Sequence, residues 1–324
     1  MKICVIGGGG YVGSMLVPSL LNDGHEVTIL DTFYYGNPHP GHPRLKMLKG
    51  DVRNQTDVFW AIEDNEAVIH LACISNDPSF DLNPRIAKSI NLDCFHHFVK
   101  GVKKHKPKRV IFASSSSVYG VSEEPNVTEA SLCKPITDYS KYKLQCEDML
   151  LKTDFPDTIV TVLRPATVCG YGPRLRLDVI INALSAKALS KGEITVHGGE
   201  QIRPNLNIKD MVLAYKAVLG ARPGLIDKEI FNVGDRNLSV NELAFLVQEI
   251  IPAKIVREPV KDERSYRVDS SKIKKYLSFA PTHGLSSAIT SLKDAFTDGL
   301  IGDIEDSRYH NLKRIKELLS KGDI

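Results

Sequence analysis

A run of four glycines closes the first apolar segment, Lys2–Ile6, and opens the motif Gly7-Gly8-Gly9-Gly10-Tyr11-Val12-Gly13, which leaves few folds open. Glycine at this density weakens helix and strand interiors, so it marks a place where side chains are in the way. Between a buried strand and a helix start it suits a turn that offers free N–H groups and a positive dipole end to phosphates. Gly7 permits the tight turn, Gly10 lets the backbone approach a pyrophosphate, and Gly13 lets helix and strand pack closely; Tyr11 and Val12 belong to the same turn. A purely structural glycine turn is the competing reading, and only the rest of the chain separates the two.

The segments beyond Gly13 come in the order that a dinucleotide-binding turn requires. Short apolar runs at Glu26–Leu30, Leu45–Leu48, Ala67–Leu71, Arg109–Ala113 and Ile159–Leu163 are expected as buried strands. Helices are expected between them at Tyr11–Asn22, Asp57–Glu63, Pro84–His105 and Asp138–Lys152. Repeated strand–helix–strand units predict a parallel sheet covered on both faces. Asp31 ends the second strand, where a carboxylate meets the adenosine ribose hydroxyls. It would repel a phosphate there, and no Arg or Lys follows until Arg44, so NAD is expected rather than NADP. Asp51 and Val52 are placed to meet the adenine, and Leu71 and Ala72 to run beside the cofactor.

Ser114-Ser115-Ser116-Ser117-Val118-Tyr119-Gly120 ends the fifth strand, so its hydroxyls are expected over the ligand crevice. Downstream stands Tyr139-Ser-Lys-Tyr-Lys143. On a helix Tyr139 and Lys143, four positions apart, project from one face. Alone, that pair reads as surface decoration; behind a serine run on a dinucleotide fold it reads as catalytic.

After Arg164-Pro165 the pattern changes. Helices are expected at Asp178–Lys191, Lys209–Gly220, Val240–Ile250, Ser271–Tyr276 and Leu285–Thr297, with a strand at Ile194–His197. Repeated prolines suit a smaller, loop-rich domain. In the tail, Leu312, Ile315, Leu318 and Leu319 fall at helical spacing, predicting an amphipathic helix that docks on the body or on a partner.

Composition excludes several classes. A formal charge of +3 in 324 residues argues for neither nucleic acid nor an anionic membrane, and no apolar run reaches membrane-spanning length. The basic stretch Lys100–Arg109 falls where a helix ends, a place that favours cations. The six cysteines form no CxxC pair, so reduced thiols are expected, with no metal site. The amino terminus runs into Gly7 without a signal-peptide cleavage site, so a cytoplasmic protein is expected.

Taken together, GGGGYVG, Asp31, GDV, HLA, Asn91, SSSSVYG, YSKYK and LRPATVCGYGPR resemble the NAD-dependent epimerase/dehydratase family of extended short-chain dehydrogenases/reductases. The resemblance implies an α/β fold: a Rossmann-type doubly wound parallel sheet (1–166) with a smaller C-terminal substrate-binding domain (167–324). Segments such as 204–221 and the tail are candidates to pack back on the first domain. It implies Ser115, Tyr139 and Lys143 as catalytic and Asn91 beside the cofactor. It places Ser75, Ser117, Thr167, Arg174, Arg203 and Arg264 at the substrate, the last two on the nucleotide pyrophosphate. A homodimer built on the helices near Pro84–His105 and Asp138–Lys152 is also implied, with Ile86, Ile90, Phe98, Leu144 and Leu151 as candidate contacts.

The expected function is that of a nucleotide-sugar epimerase working through a 4-keto intermediate. A net C4 dehydrogenase or ketoreductase is the alternative within enzymes, and a catalytically silent dinucleotide-binding protein the alternative outside them. Thr167 stands where many UDP-sugar 4-epimerases carry Asn, which leaves the base open. Dehydration is not expected: related dehydratases carry Asp and Glu where this chain has Ser116 and Ser117, and hydroxyls are poor acids and bases near neutral pH. Asp77, Asp81 and Glu123 are the carboxyls nearest in sequence that could substitute.

Overall fold

The computed structural model describes residues 1–75, 77–122, 124–259 and 265–324. Its strands, in chain order, are β1 (Lys2–Ile6), β2 (Glu26–Asp31), β3 (Leu45–Lys49), β4 (Ala67–His70), β5 (Arg109–Ala113), β6 (Ile159–Pro165), β7 (Thr167–Cys169), β8 (Glu193–His197), β9 (Ile202–Asn207), β10 (Glu229–Val233), β11 (Arg236–Ser239) and β12 (Lys254–Glu258). Seven of them form a wholly parallel sheet in the order β10-β6-β5-β4-β1-β2-β3.

The apolar runs are continuous where the sheet is buried on both faces, but Leu45–Lys49, expected as a buried strand, is the sheet's edge and has no buried residue, Met47 being exposed. Along β1, Ile3 and Val5 join one core with Val27, Ile29 and Ile69, beneath helices Gly13–Asn22 and Ile208–Gly220. Cys4 and Ile6 point to the other face and pack with Val68, Val110, Phe112 and Val162 beneath Gln55–Ile62, Phe95–His105 and Asp138–Lys152. A third core joins the small sheets β11-β9-β7 and β12-β8 to helices Ile180–Lys191, Val240–Ile250 and Gly284–Thr297.

Strand order reverses between β1 and β4, whose carboxyl ends therefore open a crevice. The glycine turn leaves β1 there, and Leu71 and Ala72 leave β4, both N–H groups bonded to the Ile6 carbonyl.

Several elements differ from expectation. The long helix over 84–105 is broken into Pro84–Lys88, a π-turn at Ser89–Asp93 and Phe95–His105. Asn91 lies in that π-turn and spends its side chain on Ile74, accepting from Ile74 N and donating to Ile74 O, both at 2.8 Å. In the tail helix Asn311–Lys321 the buried stripe is Asn311, Ile315 and Leu318, while Leu312 is exposed. Ile315, Leu318 and, in part, Leu319 pack inward as expected; the Asn311 side chain turns in beside them to hydrogen-bond Ser75 and Arg174, and its backbone N donates to Asp178. The Lys100–Arg109 stretch ends helix Phe95–His105 and pairs outward, Lys106 with Asp157 and Lys108 with Glu66. No described helix is long and apolar enough to cross a membrane.

Candidate active site

Two adjoining cavities occupy the crevice. The larger, about 460 Å³, is lined by the glycine turn, Ser114 to Ser117, Tyr139, Lys143, Thr167, Arg174, Arg176, Asp178 and Arg203. The smaller, about 120 Å³, is lined by Asp31, Gly50, Asp51, Val52, Ala72 and Ile90. Gly7, Gly10, Tyr35, Leu71 and Cys73 belong to both and form the seam between them.

The three glycines of the turn do different jobs. Gly7 has φ +85°, and a Cβ there would fall 2.5 Å from the Ala72 nitrogen. A Cβ on Gly13 would fall 2.3 Å from the Gly8 carbonyl oxygen. A Cβ on Gly10 would meet only the Gly7 carbonyl oxygen, at 3.2 Å, so protein packing does not demand that glycine. Gly10 leaves room for a ligand instead, as a dinucleotide turn needs. Tyr11 pins the turn to the other side of the crevice: its hydroxyl donates to the Gly170 carbonyl and accepts from Asn182 Nδ2 at 3.0 Å.

Asp31 accepts from Gly9 N at 2.8 Å and Phe33 N at 2.7 Å. Burial pushes its pKa up, and these two N–H bonds oppose the rise. Arg44, the nearest downstream cation in sequence, turns away and donates to the Leu21 carbonyl. Asp51 is paired with Arg53 at 2.6 Å.

At the other end of the crevice the four serines part company. Ser114 donates to the buried carboxylate of Glu147, which also holds Arg164 at 2.6 Å. Ser116 Oγ lies 3.1 Å from Tyr266 Oη. Ser115 caps the turn Ser116–Tyr119 and receives the Ser117 hydroxyl at 2.9 Å. Glu147 continues the helix face of Tyr139 and Lys143, spaced four residues apart. One helix therefore positions the two expected catalytic side chains and, through Glu147, the root of the serine turn. Lys143 is buried, donates to the Ala113 carbonyl at 2.6 Å, and lies 6.0 Å from the centroid of the Tyr139 ring. His70, caged by Phe95, Phe98 and Phe112, is held neutral by burial and by the Lys143 charge, which push its pKa down to about 3.

Ser115, Ser117, Tyr139, Lys143, Thr167, Arg174, Arg203 and Ser75 thus share the larger cavity. Asn91 reaches neither cavity and acts on the wall through Ile74. Arg264 and Glu123 lie outside the described residues. Sequence reasoning missed Tyr35, the Arg176–Asp178 pair (2.9 Å) and Asn311. Tyr35 follows Asp31 closely enough to have been suspected; Asn311 reaches the site from more than 200 residues away by fold alone.

The profile of the "NAD dependent epimerase/dehydratase family" matches residues 3–234. The chain belongs to this family. It is 31% identical to the uncharacterized UDP-glucose epimerase YtcB of Bacillus subtilis (strain 168), over 92% of this chain and 96% of that one. It is 28% identical to UDP-glucose 4-epimerase of Lactobacillus helveticus, over 87% and 93%. Among solved structures it is similar to the UDP-glucuronic acid 4-epimerase of Bacillus cereus in complex with UDP-glucuronic acid and NAD, at 26% identity and a TM-score of 0.80, covering 92% of this chain and 99% of that one. UDP-glucuronic acid decarboxylase 6 of Arabidopsis thaliana is also similar, 28% identical over 91% and 89%.

Proposed function

We propose that this chain is an NAD-dependent epimerase that inverts C4 of a nucleotide sugar through a 4-keto intermediate. One observation carries the choice of reaction: among the described residues, the only carboxylate lining the larger cavity is Asp178, and it is paired with Arg176. The serine turn brings hydroxyls, held by one another and by Tyr266, to where a dehydratase needs acids and bases.

The crevice fits the cofactor through the open space at Gly10, the Asp31 carboxylate, the slot by Asp51, Val52 and Ala72, and the buried Lys143. When bound, NAD supplies the hydride acceptor and donor. The chain's own residues move the proton. Tyr139 Oη takes it from the sugar hydroxyl and gives it back. An ordinary tyrosine hydroxyl has a pKa near 10, so the Lys143 ammonium nearby is needed to favour the phenolate. Ser115 Oγ, already accepting from Ser117, holds the reacting oxygen. Ser75, Ser117 and Thr167 are proposed for the sugar, and Arg203 and Arg264 for its diphosphate, where guanidinium groups bind well.

A domain division at 166/167, across which Ile208–Gly220 and Glu229–Val233 return to the first domain's sheet, a cytoplasmic location and a homodimer belong to the same proposal. The half-buried Ile86, Leu144 and Leu151 suit a dimer contact, whereas Ile90 and Phe98 are spent in the chain's own core. The test is to incubate the protein with UDP-, dTDP-, GDP- and ADP-sugars in D2O and read the products by mass spectrometry and NMR. An isomer of unchanged mass and no carbon-bound deuterium is expected. Loss of water, or deuterium at C5, would overturn the reading, and a change of two hydrogens would replace it with a net dehydrogenase.

A further inference from the structure

Arg174 carries a buried positive charge with no anion paired to it directly among the described residues. The residue is 5% exposed and lines the larger cavity. Its Nη2 donates to Asn311 Oδ1 at 2.5 Å, and its Cζ lies 3.8 Å from the centroid of the Tyr35 ring. Among the described residues, Nε and Nη1 have no hydrogen-bond partner. Asp178 and Asp31 lie close enough to influence it, but Asp178 pairs with Arg176 and Asp31 accepts from two backbone N–H groups. Burying a guanidinium without an ion pair is costly, and here burial pulls its pKa down to about 10. A ligand anion is what this position lacks.

The seam between the cavities indicates which anion. With NAD in the crevice, the dinucleotide's adenosine sits by Asp31 and its reactive ring by Tyr139. Its middle must then cross the strip formed by Gly7, Gly10, Tyr35, Leu71 and Cys73. The middle of a dinucleotide is its diphosphate. From the turn, the diphosphate meets backbone N–H groups alone. Tyr35, at the same seam, carries Arg174 on its ring face.

We propose that Arg174 is the counter-cation of the cofactor's diphosphate, rather than of the substrate's, and that Asn311 thereby makes the C-terminal helix a latch over the bound dinucleotide. Asn311 holds the guanidinium with Oδ1 and grips Ser75 Oγ at 2.8 Å with Nδ2. One turn on, Arg314 Nε donates to the Tyr34 carbonyl at 2.5 Å, and Ile315 closes the wall of the smaller cavity. Three contacts from one helix thus bear on the path the cofactor occupies. This proposal rests on NAD binding in the crevice but not on which reaction the bound cofactor serves.

The test titrates cofactor-stripped wild type, Arg174→Ala, Arg174→Lys and Asn311→Ala calorimetrically with ADP-ribose, adenosine and UDP, and tracks NAD release by stopped flow. Charge-assisted bonds of this kind predict that Arg174→Ala weakens ADP-ribose about 10- to 100-fold, with adenosine and UDP changed less than about two-fold. Arg174→Lys keeps the charge but not the planar fork, and should lose part of that. Asn311→Ala, which leaves Arg174 in place, should speed NAD release several-fold. Unchanged ADP-ribose affinity, an equal loss for adenosine, or a loss confined to UDP would each overturn the assignment. A wild type that binds no ADP-ribose would overturn the cofactor reading and this proposal together. Failure of the epimerase reading shows separately, as a wild type that binds ADP-ribose yet converts no nucleotide sugar.

Discussion

Alanine at Gly10 and alanine at Gly13 should have opposite consequences, although the two positions belong to one turn. At Gly13 the new Cβ would sit 2.3 Å from the Gly8 oxygen and 2.6 Å from the Gly8 carbonyl carbon, both backbone atoms. Backbone cannot rotate aside as a flexible side chain can, so the cost is at least that of overpacking a core, about 1–3 kcal/mol. At Gly10 one backbone oxygen at 3.2 Å has to give by a few tenths of an ångström. Against that small strain, alanine removes unfolded-state freedom worth about 0.4–1 kcal/mol, so stability should stay within about 1 kcal/mol of wild type. The methyl nevertheless occupies the space in front of the turn. Losing one or two charge-assisted N–H bonds to a diphosphate costs roughly 1.5–3 kcal/mol each, which weakens NAD at least about ten-fold. Urea unfolding monitored by circular dichroism reads the first quantity and calorimetric titration with NAD the second. A Gly10→Ala protein that binds NAD as wild type does, or a Gly13→Ala protein of wild-type stability, would refute the division of labour within the turn.

Tyr139→Phe should keep NAD affinity and lose at least about two orders of magnitude in turnover, as expected for an acid–base group; near-normal turnover removes Tyr139 from the mechanism. With Asp31 lining the smaller cavity, where the proposed cofactor's adenosine ribose would lie, and Arg44 turned away, titration should find NAD bound far more tightly than NADP, and equal affinities would sink that reading. His70 stays neutral in the fold while an unfolded histidine protonates below about 6.5, so stability is intact above that pH and falls as pH drops towards 3; roughly 2 kcal/mol should be gone by pH 5. Urea unfolding at pH 7 and pH 5 should show that loss shrinking in His70→Asn, and an unchanged pH dependence there would refute it. Light scattering at micromolar concentration should give a dimer; a monomer contradicts the proposed pairing of the Asp138–Lys152 helices.

The fold was legible wherever local pattern and burial agree. Five of the first six strands, all but the edge strand β3, carry apolar runs because neighbours bury both faces, and the Tyr139 and Lys143 helix carries its own boundary in Thr137, which caps Ser140. Strand β9 was not legible: Ile-Arg-Pro-Asn-Leu-Asn has a proline and three polar residues and reads as loop. It forms because β7 and β11 flank it and because the Asn205 amide nitrogen and both ends of the Asn207 amide find partners. Strand β10 was missed because a five-residue run after a turn carries no period, and its place beside β6 is a tertiary fact. In the site, the residues of the glycine turn and the Tyr139 and Lys143 face were visible as motifs. Tyr35, Arg176, Asp178 and Asn311 were not, since their meaning lies in what the fold brings beside them.

The placement of β10 also governs how this chain can be recombined with its relatives. Val233 accepts from Ala166 N, Lys228 N bonds Val160 O, and Thr161 Oγ1 donates to Ile226 O at 2.8 Å, so residues 226–233 complete the sheet begun by residues 2–165. A fragment cut at residue 166 would expose the whole length of β6 as an unpaired edge and uncover the face lined by Met211, Tyr215 and Val218, an invitation to aggregate. Chimeras that exchange sugar specificity therefore have to be spliced at several points. The loops and helices that touch the sugar can be traded, while Ile208–Gly220 and Glu229–Val233 must come from the parent that donates the glycine turn.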